Sequence, residues 1–241
     1  MELAWLLAGL SHAAMAQRVG DPRLQDLAVR TYAILKRNQG PGGCFGHLAV
    51  NGTLSGWLRG RIGSFADQVY PIYALSIYAQ AEPECARPAL VEARTCAEAI
   101  CRVQGALGQW WWHYDSVTGR VAEHYPVYSV HQEGMAPMAL FALAEASGAD
   151  YSAPVYKGLQ WIAGQNEAGC DLRHESGVVW RCLRYTNRHK VYLDRAGAFL
   201  GGGQKQAAGA DLALLRECRP YELGWLLYAF ADRSEAPASI K

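Results

Sequence analysis

Along this chain, segments that are apolar on nearly every side alternate with segments that are apolar on one side only. The first, Met1 to Arg18, carries Leu3, Trp5, Leu6, Leu7 and Leu10, and a helix apolar all round belongs in a core. Gly20 ends it, and Asp21-Pro22 opens the next, with Asp as N-cap and Pro in the first turn. Leu24, Leu27, Ala28, Thr31 and Leu35 then mark one face of a helix near 22–37, with Arg23, Asp26, Arg30 and Lys36 elsewhere. The pairing recurs. All-round apolar helices are predicted near 67–81, 135–147 and 220–231, and amphipathic ones near 87–104 and 151–165. Pro71 falls early enough in its helix to be tolerated.

Short turns lead from apolar to amphipathic helices, whereas the return connections are long: 38–65, 104–134 and 166–219. The last contains β-like pieces at Gly177 to Tyr185 and Lys190 to Asp194. It also holds a run from Gly201 to Lys205 that lacks Walker spacing and reads as a flexible loop. Apolar helices lining a barrel, backed by an amphipathic outer ring, give an all-α fold of helical hairpins with its long loops on one end. The expectation is one α/α toroid domain over 1–232 and a polar tail over 233–241. About three and a half hairpins are visible, so the ring is partial or open. A second copy, or a missing N-terminal segment, would then cover an apolar flank on the first or last helix.

The alternation has a sequence register. Gln39-Gly-Pro-Gly-Gly43-Cys-Phe45 and Gln104-Gly-Ala-Leu-Gly108-Gln-Trp110 share the form Q-x3-G-x-aromatic, 65 residues apart. Gln165 to Asp171 repeats it without the ring, 61 residues further on. The pairs Ala74-Leu75 and Ala139-Leu140 are also 65 apart, a period that fits one hairpin plus its loop. Gln at the end of an outer helix can bond loop backbone, Gly turns the chain, and the ring plugs the hairpin end. At these residues the chain resembles the repeat of the prenyltransferase and squalene-cyclase α/α toroids, with its QW motif, over roughly Thr31 to Asp171. Similar barrels occur in six-hairpin glycosidases, polysaccharide lyases and sugar epimerases. The resemblance implies a fold more than a chemistry. The Asp-x-Asp-Asp acid of class II terpenoid cyclases has no counterpart here.

Composition narrows the function. A formal net charge of +1 and no Lys/Arg run argue against nucleic acid and anionic lipid as partners. No apolar run reaches the roughly 18 residues of a membrane span. Seven scattered cysteines without CxxC spacing fit a reducing, cytoplasmic setting rather than a disulfide framework or zinc site. Neither a metal nor a cofactor is expected.

The stretch from Gln104 to Leu140 holds three of the eight tryptophans and three of the seven histidines. Rings interleaved with titratable groups on a connector are the composition of a ligand cleft. The catalytic candidates are His131, Glu133, Asp115, Asp67 and Glu123. A carboxylate pair could act on a glycosidic bond, with His131 as a base tuned by its neighbours. Asp67 and Glu133 equally suit helix N-termini, and Asp115 in YDSVTG equally suits a turn. Trp111, Trp112, His113, Tyr114, Tyr125, Tyr128 and Gln132 are the candidates for substrate contact, whether by stacking on sugar or by shielding an isoprenoid cation. The first expectation is a carbohydrate-active enzyme (a glycoside hydrolase, lyase or epimerase) taking a small-molecule or oligosaccharide substrate. An isoprenoid or terpenoid enzyme and a non-catalytic binding or scaffolding toroid are the alternatives.

Overall fold

A computed structural model describes residues 1–16, 22–48, 60–186, 211–231 and 233. The Asp21 N-cap, the β-like piece at 190–194, the Gly201 to Lys205 run and nearly all of the 233–241 tail lie outside the described residues. The chain divides into two compact units interleaved in sequence: 1–103, 113–121 and 139–151 form the first, 104–112, 122–138 and 152–241 the second.

In the first unit, α1 (Glu2–Met15) packs on α2 (Pro22–Leu35) and on α3 (Ala66–Ala81), which in turn packs on α4 (Ala86–Arg102). Helix α3 is the core of this group. Val69, Ile72, Ala74, Leu75 and Tyr78 are fully enclosed, and its apolar residues point in every direction. Helix α4 buries one stripe only, Ala89, Ala93, Cys96, Ala97 and Ile100, as its 3.6-residue periodicity requires. Helix α1 departs from the expected all-round burial. Ala4, Leu7, Ala8 and Ser11 are covered, but Trp5 and Leu6 remain 45% and 43% exposed.

The second unit holds most of the central aromatic stretch, the helix α6 (Ser152–Ile162) and the terminal helix α7 (Tyr221–Phe230). Its apolar cluster joins Trp161, Ile162, Leu172, Val179, Leu183, Tyr185 and Leu212. The expected β-like piece is realised as β4 (Cys182–Tyr185), paired antiparallel with β5 (Leu212–Leu215) from Cys182 opposite Leu215 to Tyr185 opposite Leu212. Helix α5 (Ala136–Ser147) follows the central stretch.

That stretch is more ordered than a connector. It forms β2 (Trp111–Asp115) and β3 (Val121–Pro126), which join β1 (Ile62–Ser64) in a three-stranded sheet. Ser64 pairs with His113, Gly63 with Tyr114 and Ile62 with Asp115. Ring-rich residues favour pleated, half-buried surfaces, and Asp115-Ser-Val-Thr-Gly119 supplies the turn, with Gly119 at φ +66°.

The repeat has a physical basis in both full copies. The Gln39 amide donates to the carbonyls of Gly43 and Glu92, each at 2.9 Å. The Gln104 amide donates to those of Gly108 and Pro154, again at 2.9 Å. One side chain thus ties a loop carbonyl four residues on to the backbone of the next amphipathic helix. Gly43 and Gly108 take φ of +90° and +96°. A Cβ on Gly108 would lie 2.0 Å from the Lys157 carbonyl oxygen, so only glycine fits. In the third copy the register slips by one. Asn166, not Gln165, donates to the carbonyl four residues on, at Cys170, and to that of Trp161.

Candidate functional site

A second repeated contact lies at the start of the apolar helices. Gln68 in α3 accepts the Phe45 N–H at 2.7 Å and donates to the Phe45 carbonyl at 2.9 Å. Gln132 likewise accepts the Trp110 N–H at 3.2 Å. Gln68 and Gln132 are 64 residues apart, whereas Ala74 and Ala139 further along the same helices are 65 apart. The extra residue is absorbed by a π-helical turn at Val130–Met135. Such turns are one-residue insertions into helices and often mark functional sites. Helix α7 and helix α6 both pack on this turn. At Gly134 a Cβ would come within 2.7 Å of the Trp225 Cβ, so α7 sits directly on the turn.

Two chemical groupings result. Residues two apart on a helical turn do not face each other, and His131 and Glu133 have different neighbours. The His131 ring packs edge-on to Trp112, with centroids 5.7 Å apart, and against Tyr128 at 5.9 Å; Trp112 and Tyr128 are 4.7 Å apart. The Arg181 guanidinium lies 4.5 Å over the Tyr128 ring and bonds Glu217 at 2.6 Å. All three rings are half-buried and so keep some access to solvent. Burial pushes the His131 imidazole down to about 4, which keeps it neutral at neutral pH.

Glu133 meets Glu222 of α7 instead. Both carboxyls are buried, at 3% and 2% exposure. Burial, then the charge of Glu222 and a hydrogen bond to it, push the Glu133 carboxyl up to about 9; burial raises Glu222 as well. Ser129, itself buried, has its hydroxyl on Glu222 Oε1 and 3.1 Å from the Arg181 carbonyl oxygen. Glu222 is the residue that sequence reasoning missed. Its signal was present: it is the one charged residue in the otherwise apolar segment PYELGWLLYAFA, at the first turn, as Asp67 is in α3.

The remaining candidates take other positions. Asp67, Asp115, His113 and Tyr114 belong to the first unit. Asp67 accepts the Ser64 N–H at 2.9 Å, the Ser64 hydroxyl at 2.7 Å and His47 Nδ1 at 2.9 Å, holding the entry to α3. Asp115 accepts Arg61 Nη2 at 2.6 Å and the turn N–H groups of Val117 and Thr118. Burial would raise its pKa, but Arg61 and these donors hold it below the usual range. Its environment is therefore that of a hairpin-turn residue. Tyr114 is enclosed against Phe65, and His113 lies in the β1–β2 register. In the second unit, Trp111 is buried edge-on to His124 at 5.0 Å, and Glu123 is buried on β3. Tyr125 stacks on Tyr185 at 5.0 Å and donates to the Leu183 carbonyl at 2.9 Å, as part of the apolar cluster. A cavity of about 230 Å³ in the first unit, lined by Leu10, Ala14, Leu24, Ala28, Tyr78 and Glu82 among others, includes none of the candidates.

No family model matches the sequence, and no curated protein matches it. Solved structures do. The chain is similar to a D-mannose isomerase (TM-score 0.56, 14% identity, 95% of this chain and 71% of that one). It is also similar to a glycosyl hydrolase of family 88 from Bacteroides vulgatus (0.58, 13%, 94% and 60%). A third is the cellobiose 2-epimerase from Spirochaeta thermophila DSM 6192 (0.52, 13%, 94% and 56%). The chain thus spans between 56% and 71% of the length of these proteins. All three are α/α toroids of the six-hairpin glycosidase type, and that is the fold of this chain. No described helix is long and apolar enough to cross a membrane.

Proposed function

We propose that this chain is a carbohydrate-active enzyme that moves a proton on a sugar, with His131 as the group that accepts it. The observation that carries this reading is the half-buried cluster of Trp112, Tyr128 and His131, with Arg181 over Tyr128. Indole and phenol faces offer the flat apolar surface on which a sugar ring stacks. An imidazole held neutral keeps one ring nitrogen as an acceptor for a proton. The fold likeness to a D-mannose isomerase and a cellobiose 2-epimerase supports the same class.

Isomerisation or epimerisation is favoured over hydrolysis by the carboxyl geometry. Glycosidases hold two carboxyls about 5 Å or about 6.5–9.5 Å apart, with the substrate between them. Glu133 and Glu222 touch each other and are closed to solvent. Glu133 in this proposal supports the turn, and Trp111, Gln132 and Glu123 support the walls behind it. A cytoplasmic setting, resting on the scattered cysteines, is part of the same reading. NMR of D-mannose and of cellobiose incubated with the protein tests it. A new aldose or ketose isomer is expected; released monosaccharide without any isomer would make the enzyme a hydrolase and overturn the reading.

A further inference from the structure

A buried pair of carboxyls cannot carry two negative charges in contact without a large electrostatic cost, so one proton sits between them. Which carboxyl keeps it depends on the donors each can find. Glu222 Oε1 has the Ser129 hydroxyl, whereas Glu133 Oε1 has no hydrogen-bond partner among the described residues. A hydroxyl donates more strongly to a charged oxygen than to a neutral carbonyl, so Ser129 favours ionised Glu222 over the competing Arg181 carbonyl 3.1 Å away.

We infer that Ser129 is a positioning residue that fixes Glu222 as the ionised member of the pair and leaves the shared proton on Glu133. The proton bonds Glu133 to Glu222, and Ser129 bonds Glu222 back to the turn, so α7 is tied to the π-helical turn at both ends of one carboxylate. The Arg181 carbonyl accepts the Ser129 N–H at 2.8 Å, and its guanidinium covers Tyr128. The tie therefore also sets the segment carrying Tyr128 and His131; its value to a sugar site rests on the proposed function, but the tie itself does not.

The other titratable groups around the pair leave this order in place. Arg181 spends its charge on Glu217 at 2.6 Å. The Cys182 thiol, which faces Glu222, is pushed up to about 11, chiefly by burial, and stays neutral. His131 lies on another face of the turn. The burial and mutual contact that raise Glu133 to about 9, against the donors that pull Glu222 down, run in the same direction.

The test needs no sugar. Glutamate side-chain carboxyl carbons, labelled with carbon-13 and assigned with Glu133→Gln and Glu222→Gln, are titrated by NMR in the full chain. Glu133 is expected to remain protonated through neutral pH while Glu222 is ionised. Ser129→Ala should raise the Glu222 midpoint by about one pH unit, the scale of one lost hydrogen bond to a charge, and Ser129→Thr should restore it. A wild-type Glu133 that titrates in the ordinary carboxylate range, or a Ser129→Ala midpoint equal to wild type, would overturn the assignment. The wild-type titration decides the proton's position even if the alanine variant fails to fold.

Discussion

At the scale of single residues, the displaced protonation equilibria of Glu133 and His131 pull stability in opposite directions with pH. Unfolded, Glu133 ionises near its ordinary 4.5; folded, it holds its proton to about 9. Between those values the unfolded chain binds fewer protons, so this stabilisation is complete below about 4.5 and is lost as pH rises toward 9. His131 is held neutral down to about 4 against an ordinary 6.5, so its contribution is complete above 6.5 and is lost as pH falls toward 4. Glu133→Gln removes the first slope while keeping an amide that donates to Glu222. Its melting temperature should exceed that of wild type at pH 8 and converge with it near pH 4.5, as scanning calorimetry across pH would show. A variant less stable than wild type at pH 8 would mean that Glu133 is ionised in the fold. Of these groups, Glu133 and His131 stood out in the sequence, but the partner that defines Glu133 did not. Glu222 lies about ninety residues away, and no local pattern links the two.

At the scale of elements, the sequence was most legible where it repeats. The predicted Gln-to-backbone bond occurs in both full copies, and the helices start and stop close to their expected ends. The glycine of the motif is the sharper case, because its role depends on a carbonyl that belongs to another helix. Gly108→Ala must place a side chain at φ +96° and against the Lys157 carbonyl oxygen. It should lower unfolding free energy by at least about 2 kcal/mol in urea titration, whereas Gly148→Ala, whose Cβ meets nothing, should cost only the positive-φ strain of about 1 kcal/mol. Equal losses would remove close approach as the reason for the motif. The β2–β3 hairpin was less legible, because alternating rings and polar groups in WWHYD serve a cleft wall and a strand equally well. The burial of Tyr125 among apolar residues follows from β4 and β5, which lie some sixty and ninety residues further along.

At the scale of the whole molecule, two apolar surfaces bear on association. Helix α7 leaves Tyr221, Leu223, Leu227 and Tyr228 exposed, up to 67% at Leu227, and α1 leaves Trp5 and Leu6 exposed. An open-ring toroid was expected to leave such flanks, and an exposed apolar patch of this kind suits a partner surface. We expect self-association, lost in a Leu227→Asp variant. Sedimentation equilibrium showing a monomeric wild type would remove it.

In the proposed function His131 takes a proton from a sugar carbon, and solvent isotope exchange reads that event directly. In D2O, with D-mannose or cellobiose, the protein should replace hydrogen by deuterium at the carbon beside the sugar's carbonyl, seen as loss of that proton's NMR signal. A His131→Asn variant with unchanged circular dichroism should lose the exchange by at least a hundredfold, the lower end of what a general base contributes. Exchange that persists at the wild-type rate in His131→Asn, or isomer formed by wild type with no deuterium incorporated, would rule out His131 as the base.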